Sequence, residues 1–369
     1  MLGFGTYDKR KHPRVGILLD GLRAHGCDID EINLSLDLST AQRVEILKRP
    51  WKLFGFGLRL LRLWKALVTE ARKWIRDNGL PDAVVIGYMG HFDVLLARRV
   101  FRGIPIILDH LIFAADTAID RGAQGIKVQA LSILDKKAIS AADLILLDTV
   151  EHQAMLPSER IKDSLVIPVG ASQEWYQAGK SPCNRANDVI FYGLFTPLQG
   201  TPIIAKAARE LFHRGREVRI TFIGTGQDYP EVRSLLDEFD GVTFLDWVEP
   251  ENLPRTVAEH AISLGIFSTT PKGLHVVPNK VYQSLAAGCA VITSDTPPQR
   301  RMLGDGVVYV QPGDSVALAD AIDALLSDED LLRASRDRAM RASASFTPSE
   351  IAAPLYAWLM DARSSVQAN

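Results

Sequence analysis

Pro278-Asn279-Lys280-Val281-Tyr282-Gln283-Ser284-Leu285-Ala286-Ala287-Gly288 runs directly into Cys289-Ala290-Val291-Ile292-Thr293. The first part reads as a loop, then a helix from about Asn279 to Ala287 with a glycine C-cap. The second is short, apolar and continuous, the pattern of a strand buried on both faces of a parallel sheet. Val281, Leu285 and the alanines are expected to face inward, and Lys280 and Gln283, three apart, share one helical edge. A lysine in the first turn opposes the helix dipole. That placement does nothing for stability and suits an anion-binding site; the alternative is a lysine solvated on an ordinary surface helix.

Working outward, apolar runs recur with helical patterns between them. They are Val84–Gly87, Ile104–Leu108, Leu144–Leu147 and Leu165–Pro168 in the first half. In the second half they are Val189–Gly193, Val218–Gly224, Val242–Leu245, Ile262–Ile266, Ala290–Thr293 and Val307–Val310. Strands alternating with helices mean βαβ units and parallel sheets. Thr201-Pro202 starts a helix to His213, and Asp314 caps another to Leu326, with Val316, Leu318, Ala321, Ile322 and Leu325 largely on one face. Thr347-Pro348-Ser349-Glu350 opens a last helix to about Met360, where Pro354 delays or kinks the first turns, and Ser364–Asn369 reads as a frayed tail.

The polar stretch around Ala171–Asp188 divides the 369 residues. Expected domains are 1–172, a linker at 173–187, 188–345, and a helix at 346–363 packing back toward the first domain. Only Met1 and Leu2 precede Gly3 where a buried first strand belongs, so either that strand is very short or residues are missing upstream.

A net charge of −2 gives no overall pull toward nucleic acid. Cys27, Cys183 and Cys289 are far apart and in no metal-ligand spacing, which argues against a disulfide framework or zinc site and for a reducing cytoplasm. There is no signal-peptide pattern and no run of ~18 apolar residues.

Three further places could carry chemistry. Gly3-Phe4-Gly5-Thr6-Tyr7 and Gly224-Thr225-Gly226 are glycine turns after strands, able to admit a phosphate or sugar or to serve as plain turns. Asp109-His110, and His91 in Gly90-His91-Phe92-Asp93, follow strands, where open α/β sheets bind ligands; each could instead cap the next segment.

Taken in order, several segments resemble the family 4 (group 1) glycosyltransferases. They are Val166–Ala171; Val189–Gly193 with Gly200; Ile223–Gly226; Val242–Leu245 with Trp247-Val248; and Asn279–Gly288 with Val291-Ile292. The resemblance covers most of the C-terminal half and the junction. It implies an α/β protein of GT-B fold, two Rossmann-like domains whose parallel sheets face across a cleft, and a hexosyltransferase of the EC 2.4 class. The donor is a UDP- or GDP-linked sugar, with no bound metal or other cofactor and retention at the anomeric carbon. The base meets the backbone near Leu245–Val248 with Trp247 and Val248, the ribose meets Gln283, and the diphosphate meets Val277–Lys280 with Asn279. Gly193, Gly224, Gly226 and His275 complete the donor side. Gly5, Thr6, His91 and Asp109 lie on the acceptor side, and His110 reaches the transferred sugar as the catalytic residue.

The chain departs from the family at Leu194 and Gln199, where relatives carry Arg and Lys, and at His275 and Gln283, where they carry paired glutamates. Lys280 is then the main cation for the diphosphate, with Lys272, Arg300 and Arg301 as candidate helpers.

Residues 48–76 hold nine cations (Lys48, Arg49, Lys52, Arg59, Arg62, Lys65, Arg72, Lys73, Arg76) against Glu70, interleaved with Trp51, Phe54, Phe56, Leu61, Trp64, Leu67 and Trp74. Such a block suits an anionic membrane surface, or else a core helix with a basic outer face. The expected setting is therefore the inner membrane face, with a glycan or lipid-linked acceptor and a part in polysaccharide biosynthesis. A nucleotide-sugar epimerase and a non-catalytic GT-B protein binding a nucleotide or partner are the alternatives.

Overall fold

The computed structural model describes residues 1–10, 12–36, 52–120, 122–180 and 187–367. Lys48, Arg49, Trp51, Cys183 and the second half of the expected linker lie outside them. The described chain divides into two compact units. One comprises Met1–Leu147, Gln153–Ile167 and Ala352–Asn369, the other Asp148–His152 and Pro168–Ile351.

The first unit holds β1 (Leu2–Gly5), β2 (Asp30–Asn33), β3 (Val84–Ile86), β4 (Ile106–Asp109), β5 (Leu144–Leu147) and β6 (Ser164–Val166). All pair in parallel, in the order β2-β1-β3-β4-β5-β6. Leu2, Phe4, Val84, Ile86, Ile106, Leu108, Ile145 and Leu147 form its core with Leu67, Ala71, Val94 and Ala138 from the helices. β1 is short, and Gly3 and Gly5 belong to it rather than following it. β2 breaks the apolar rule: only Ile32 of Asp30-Glu31-Ile32-Asn33 is buried, because the strand lies at the sheet edge.

The second unit holds β7 (Asn187–Tyr192), β8 (Ile220–Ile223), β9 (Val242–Leu245), β10 (His260–Leu264), β11 (Ala290–Ser294) and β12 (Val308–Val310), again parallel. Their order, β12-β11-β10-β7-β8-β9, is the doubly wound 3-2-1-4-5-6 arrangement, with its direction reversing between β7 and β10. The edge strand β9 alternates half-buried and exposed residues instead of being buried throughout.

Helix Thr201–His213 begins with Pro at its first turn, and Asp314 caps helix Ser315–Ser327 by accepting from the Val316 and Ala317 amides. Leu318, Ile322 and Leu325 of that helix are buried, but Val316 is exposed, contrary to the expected face. Gln173–Lys180, expected as linker, is a helix of the second unit whose Trp175 stacks on Tyr192. The last helix, Pro348–Gln367, runs through Pro354 and past Ser364, where a frayed tail was expected.

Candidate functional site

Open α/β sheets bind ligands beyond the carboxyl ends of strands where the strand order reverses. In the second unit that point lies between β7 and β10, and helix Asn279–Ala286 stands over it. Tyr192, the last residue of β7, fixes the helix: its hydroxyl donates to the Lys280 carbonyl at 3.0 Å and shares a hydrogen bond with Ser284. Ser284 also shares one with Ser263 of β10 at 2.7 Å.

This anchoring turns Lys280 inward. The residue is 6 % exposed, with its Nζ 3.6 Å from the centre of the Phe191 ring. A side chain at Gly193 would stand 3.2 Å from that Nζ, so the glycine leaves room for the lysine head group on that side. Nζ has no hydrogen-bond partner among the described residues, and burial holds its pKa well below the ordinary lysine value. The solvated-lysine alternative is thereby overturned. Cation–π attraction to Phe191, worth up to about 2 kcal/mol, does not match the several kcal/mol that burying an ammonium costs. An entering anion closes that gap.

The residues around Lys280 divide into engaged and available. Gln283, half-buried, follows one turn later on the same edge; Asn279 is half-buried at the helix start, and His275 is exposed. Trp247, 65 % exposed, and the half-buried Val248 follow the carboxyl end of β9. Gly224 and Gly226 serve chain packing: a side chain on either would run into the backbone of Gly193 or Phe195, so these two glycines act as turns. Leu194 is exposed, and Gln199 leaves its buried Oε1 without a partner among the described residues. Of the candidate helpers, Arg300 forks onto Asp295 with two 2.7 Å bonds and Arg301 binds Glu151, so both are committed elsewhere. Lys272 is buried in the turn Pro271–Leu274.

In the first unit the order reverses between β1 and β3. Here Gly5-Thr6 already cradles an anion, the carboxylate of Asp93, which accepts from the Thr6 amide at 2.7 Å and the Thr6 hydroxyl at 2.8 Å. Trp64 donates to its other oxygen. Burial nevertheless outweighs these bonds and raises the Asp93 pKa. Asp109 is also engaged, in a buried ion pair with Arg14 at 2.7 Å; Arg14 donates onward to the Ile167 and Leu147 carbonyls.

His91 and His110 are brought together edge to face, ring centres 5.0 Å apart, and both are buried. His110 packs on Phe113. His91 Nε2 lies 3.0 Å from Asp135 Oδ1, and the Asp135 carboxylate accepts from the Ala114 and Ala115 amides. Burial pushes Asp135 upward, but the His91 and amide hydrogen bonds win and hold it below the usual carboxylate value. Arg14, Asp93 and Asp135 escape a sequence reading because their partners are distant in the chain; the one available signal was an acid two residues beyond His91.

Residues 186–328 match the family described as glycosyl transferases group 1. A D-inositol 3-phosphate glycosyltransferase of Nocardia farcinica (strain IFM 10152) is 28 % identical over 240 residues, 58 % of this chain and 51 % of that protein. The match thus spans about half the length of this curated relative. Among solved structures, sucrose-phosphate synthase from Thermosynechococcus elongatus has a TM-score of 0.69 at 13 % identity, covering 100 % of this chain and 99 % of its own. Anabaena HepE in complex with UDP-glucose has 0.67 at 15 % identity, covering 99 % of each chain. An E. coli protein of trehalose-6-phosphate chemistry, bound with UDP-2-fluoro glucose, has 0.64 at 14 % identity, covering 97 % of this chain and 98 % of its own. The match to the group 1 glycosyltransferases thus lies in residues 186–328, and the two parallel-sheet units have the GT-B fold of these structural neighbours.

Proposed function

We propose that the protein is a retaining glycosyltransferase that moves a hexosyl group from a UDP- or GDP-linked donor to a glycan or lipid-linked acceptor. The observation that carries this reading is Lys280, a buried ammonium without an anion, over the strand-order reversal of the unit that matches the family. The diphosphate pairs with Lys280 and the first amides of helix Asn279–Ala286. Gln283 takes the ribose and Trp247 flanks the base. The sugar C1–oxygen bond to the diphosphate breaks, the acceptor oxygen bonds to C1 on the same face, and its proton passes to the departing diphosphate. His110 orients the transferred sugar. No metal or other cofactor is required for this step.

Action at an anionic membrane surface is the finer part of the proposal. Helix Lys52–Asn78 is basic, and much of its apolar content is core: Leu60, Leu67 and Ala71 are buried, with Trp64, Val68, Trp74 and Ile75 packed beside them. Trp64 and Trp74 also hydrogen-bond Asp93 and Asp30. Phe54, 76 % exposed, Leu58 and Leu61 remain outside with the exposed Arg59, Arg62 and Lys65. At about 1 kcal/mol per cation near an anionic surface, three cations with three apolar side chains suffice for reversible docking. No described helix is long and apolar enough to cross a membrane.

The test is product formation from a panel of UDP- and GDP-sugars with sugar and lipid-linked acceptors. A glycosylated product with retained configuration is expected. Nucleotide binding without transfer or hydrolysis would instead favour the non-catalytic reading, which the committed Arg300 and Arg301 leave open.

A further inference from the structure

Given the glycosyl transfer proposed above, on which this rests, we infer that Asp93 makes the first unit select an accepting sugar that bears no phosphate or carboxylate. Thr6 follows β1, and Asp93 opens the helix Asp93–Val100 that follows β3, so the two flank the reversal of strand order in that sheet. An open α/β sheet takes its ligand there, and the backbone N–H groups of such turns make seats for phosphate. In this chain the seat is filled. Asp93 Oδ2 accepts from the Thr6 amide and hydroxyl at 2.7 and 2.8 Å, and Oδ1 accepts from Trp64 at 3.1 Å. A side chain at Gly5 would stand 2.9 Å from the same Oδ2, so the glycine is what admits the carboxylate.

The pattern recurs along the edge. The Ala114 and Ala115 amides, after β4, are taken by Asp135, and the Arg14 guanidinium is taken by Asp109. Each of these three anion-holding groups already holds a carboxylate of the chain. The carboxylates differ in what compensates them. Asp109 is paired with Arg14, and Asp135 lies beside His91. Asp93, 3 % exposed, has hydrogen bonds only and no ion pair among the described residues. Burial raises its pKa, yet a carboxyl proton would find no acceptor among its three donors, which suit the ionised form. An incoming phosphate therefore meets a filled seat and a buried negative charge, a like-charge approach that costs at least tenfold in affinity. The hydroxyls of an uncharged sugar meet no such repulsion. Asp93 is the counterpart of Lys280: the second unit holds a cation without an anion, and the first an anion without a paired cation.

The experiment gives the full chain a neutral hexoside and the phosphate of the same hexoside as acceptors, with the nucleotide sugar it turns over. Wild type is expected to favour the neutral sugar at least tenfold in kcat/KM. In Asp93→Asn and Asp93→Ala, checked as folded by circular dichroism, the preference should fall toward parity. A merely structural role would lower turnover on both acceptors alike and leave the preference intact. Binding of the same two sugars is also read by saturation-transfer NMR on Lys280→Met, which removes the second unit's ammonium as a phosphate site. Wild type that treats the two sugars alike or favours the phosphate overturns the role of Asp93, as does an unchanged preference in either folded variant. Absence of any transfer would instead count against the transfer reading, and equal binding of the two sugars to Lys280→Met would then overturn the role of Asp93 separately.

Discussion

An ammonium enclosed by Phe191, Tyr192 and Gly193 is costly to leave empty. Replacing it with an apolar chain of similar length should therefore act in opposite directions on stability and on binding. Lys280→Met is expected to stabilise the ligand-free protein by about 1–3 kcal/mol, read as a higher Tm, and to weaken nucleoside diphosphate binding. The pH dependence has a definite sign. An unfolded lysine keeps its proton up to about 10.5, and the folded Lys280 gives it up earlier. Protonation thus favours unfolding: the penalty is fully present below the depressed folded value and fades as pH rises toward the unfolded one. The Tm difference between Lys280→Met and wild type should shrink across that window in thermal melts. Arg14 shows the opposite case, a buried cation already paired. Asp109→Asn strands its charge and is expected to cost about 3–5 kcal/mol in denaturant unfolding. Lys280 was legible in the sequence because its conflict with the helix dipole is local. The Arg14–Asp109 pair was not, since its members are 95 residues apart, and Thr6–Asp93, 87 apart, was hidden in the same way.

Elements were legible where burial on both faces forced a continuous apolar run, as in Leu144–Leu147 and Ala290–Ser294. At sheet edges that constraint is lifted. β2 was missed, and β9 alternates rather than staying apolar. The basic helix Lys52–Asn78 was legible as amphipathic, but only packing distinguishes its core residues from its outer ones. Phe54→Asp combined with Leu61→Asp is expected to reduce flotation with anionic vesicles roughly tenfold or more without shifting Tm, because both side chains are exposed. Equal flotation of this variant and wild type would remove the docking face. The glycine turns behave differently. Gly224→Ala drives a methyl group into the Gly193 carbonyl at positive φ, so it should lower Tm by several degrees, measured by differential scanning calorimetry.

At the scale of the molecule, two parallel sheets each carry one reversal of strand order, the place where open α/β sheets bind ligands. One edge presents a buried ammonium without an anion; the other presents two histidines beside a fixed carboxylate. The alternation of strands and helices made this architecture readable from sequence. Lys280, His91 and His110 were readable as candidates, but the engagement of Asp93, Asp109 and Asp135 was not, because it depends on which side chains the topology turns inward. The most direct test is calorimetric titration of UDP and of GDP onto wild type and Lys280→Met, over a series of pH values from neutral to alkaline in two buffers of different ionisation enthalpy. The wild type should bind one of the nucleotides, with proton uptake once the pH passes the depressed value of Lys280, where the diphosphate restores its charge. The variant should bind it roughly tenfold to hundredfold more weakly, the loss of one charge-assisted hydrogen bond, and without that uptake. Equal affinity and equal proton uptake in the two proteins, or no binding of either nucleotide to wild type, would contradict the account.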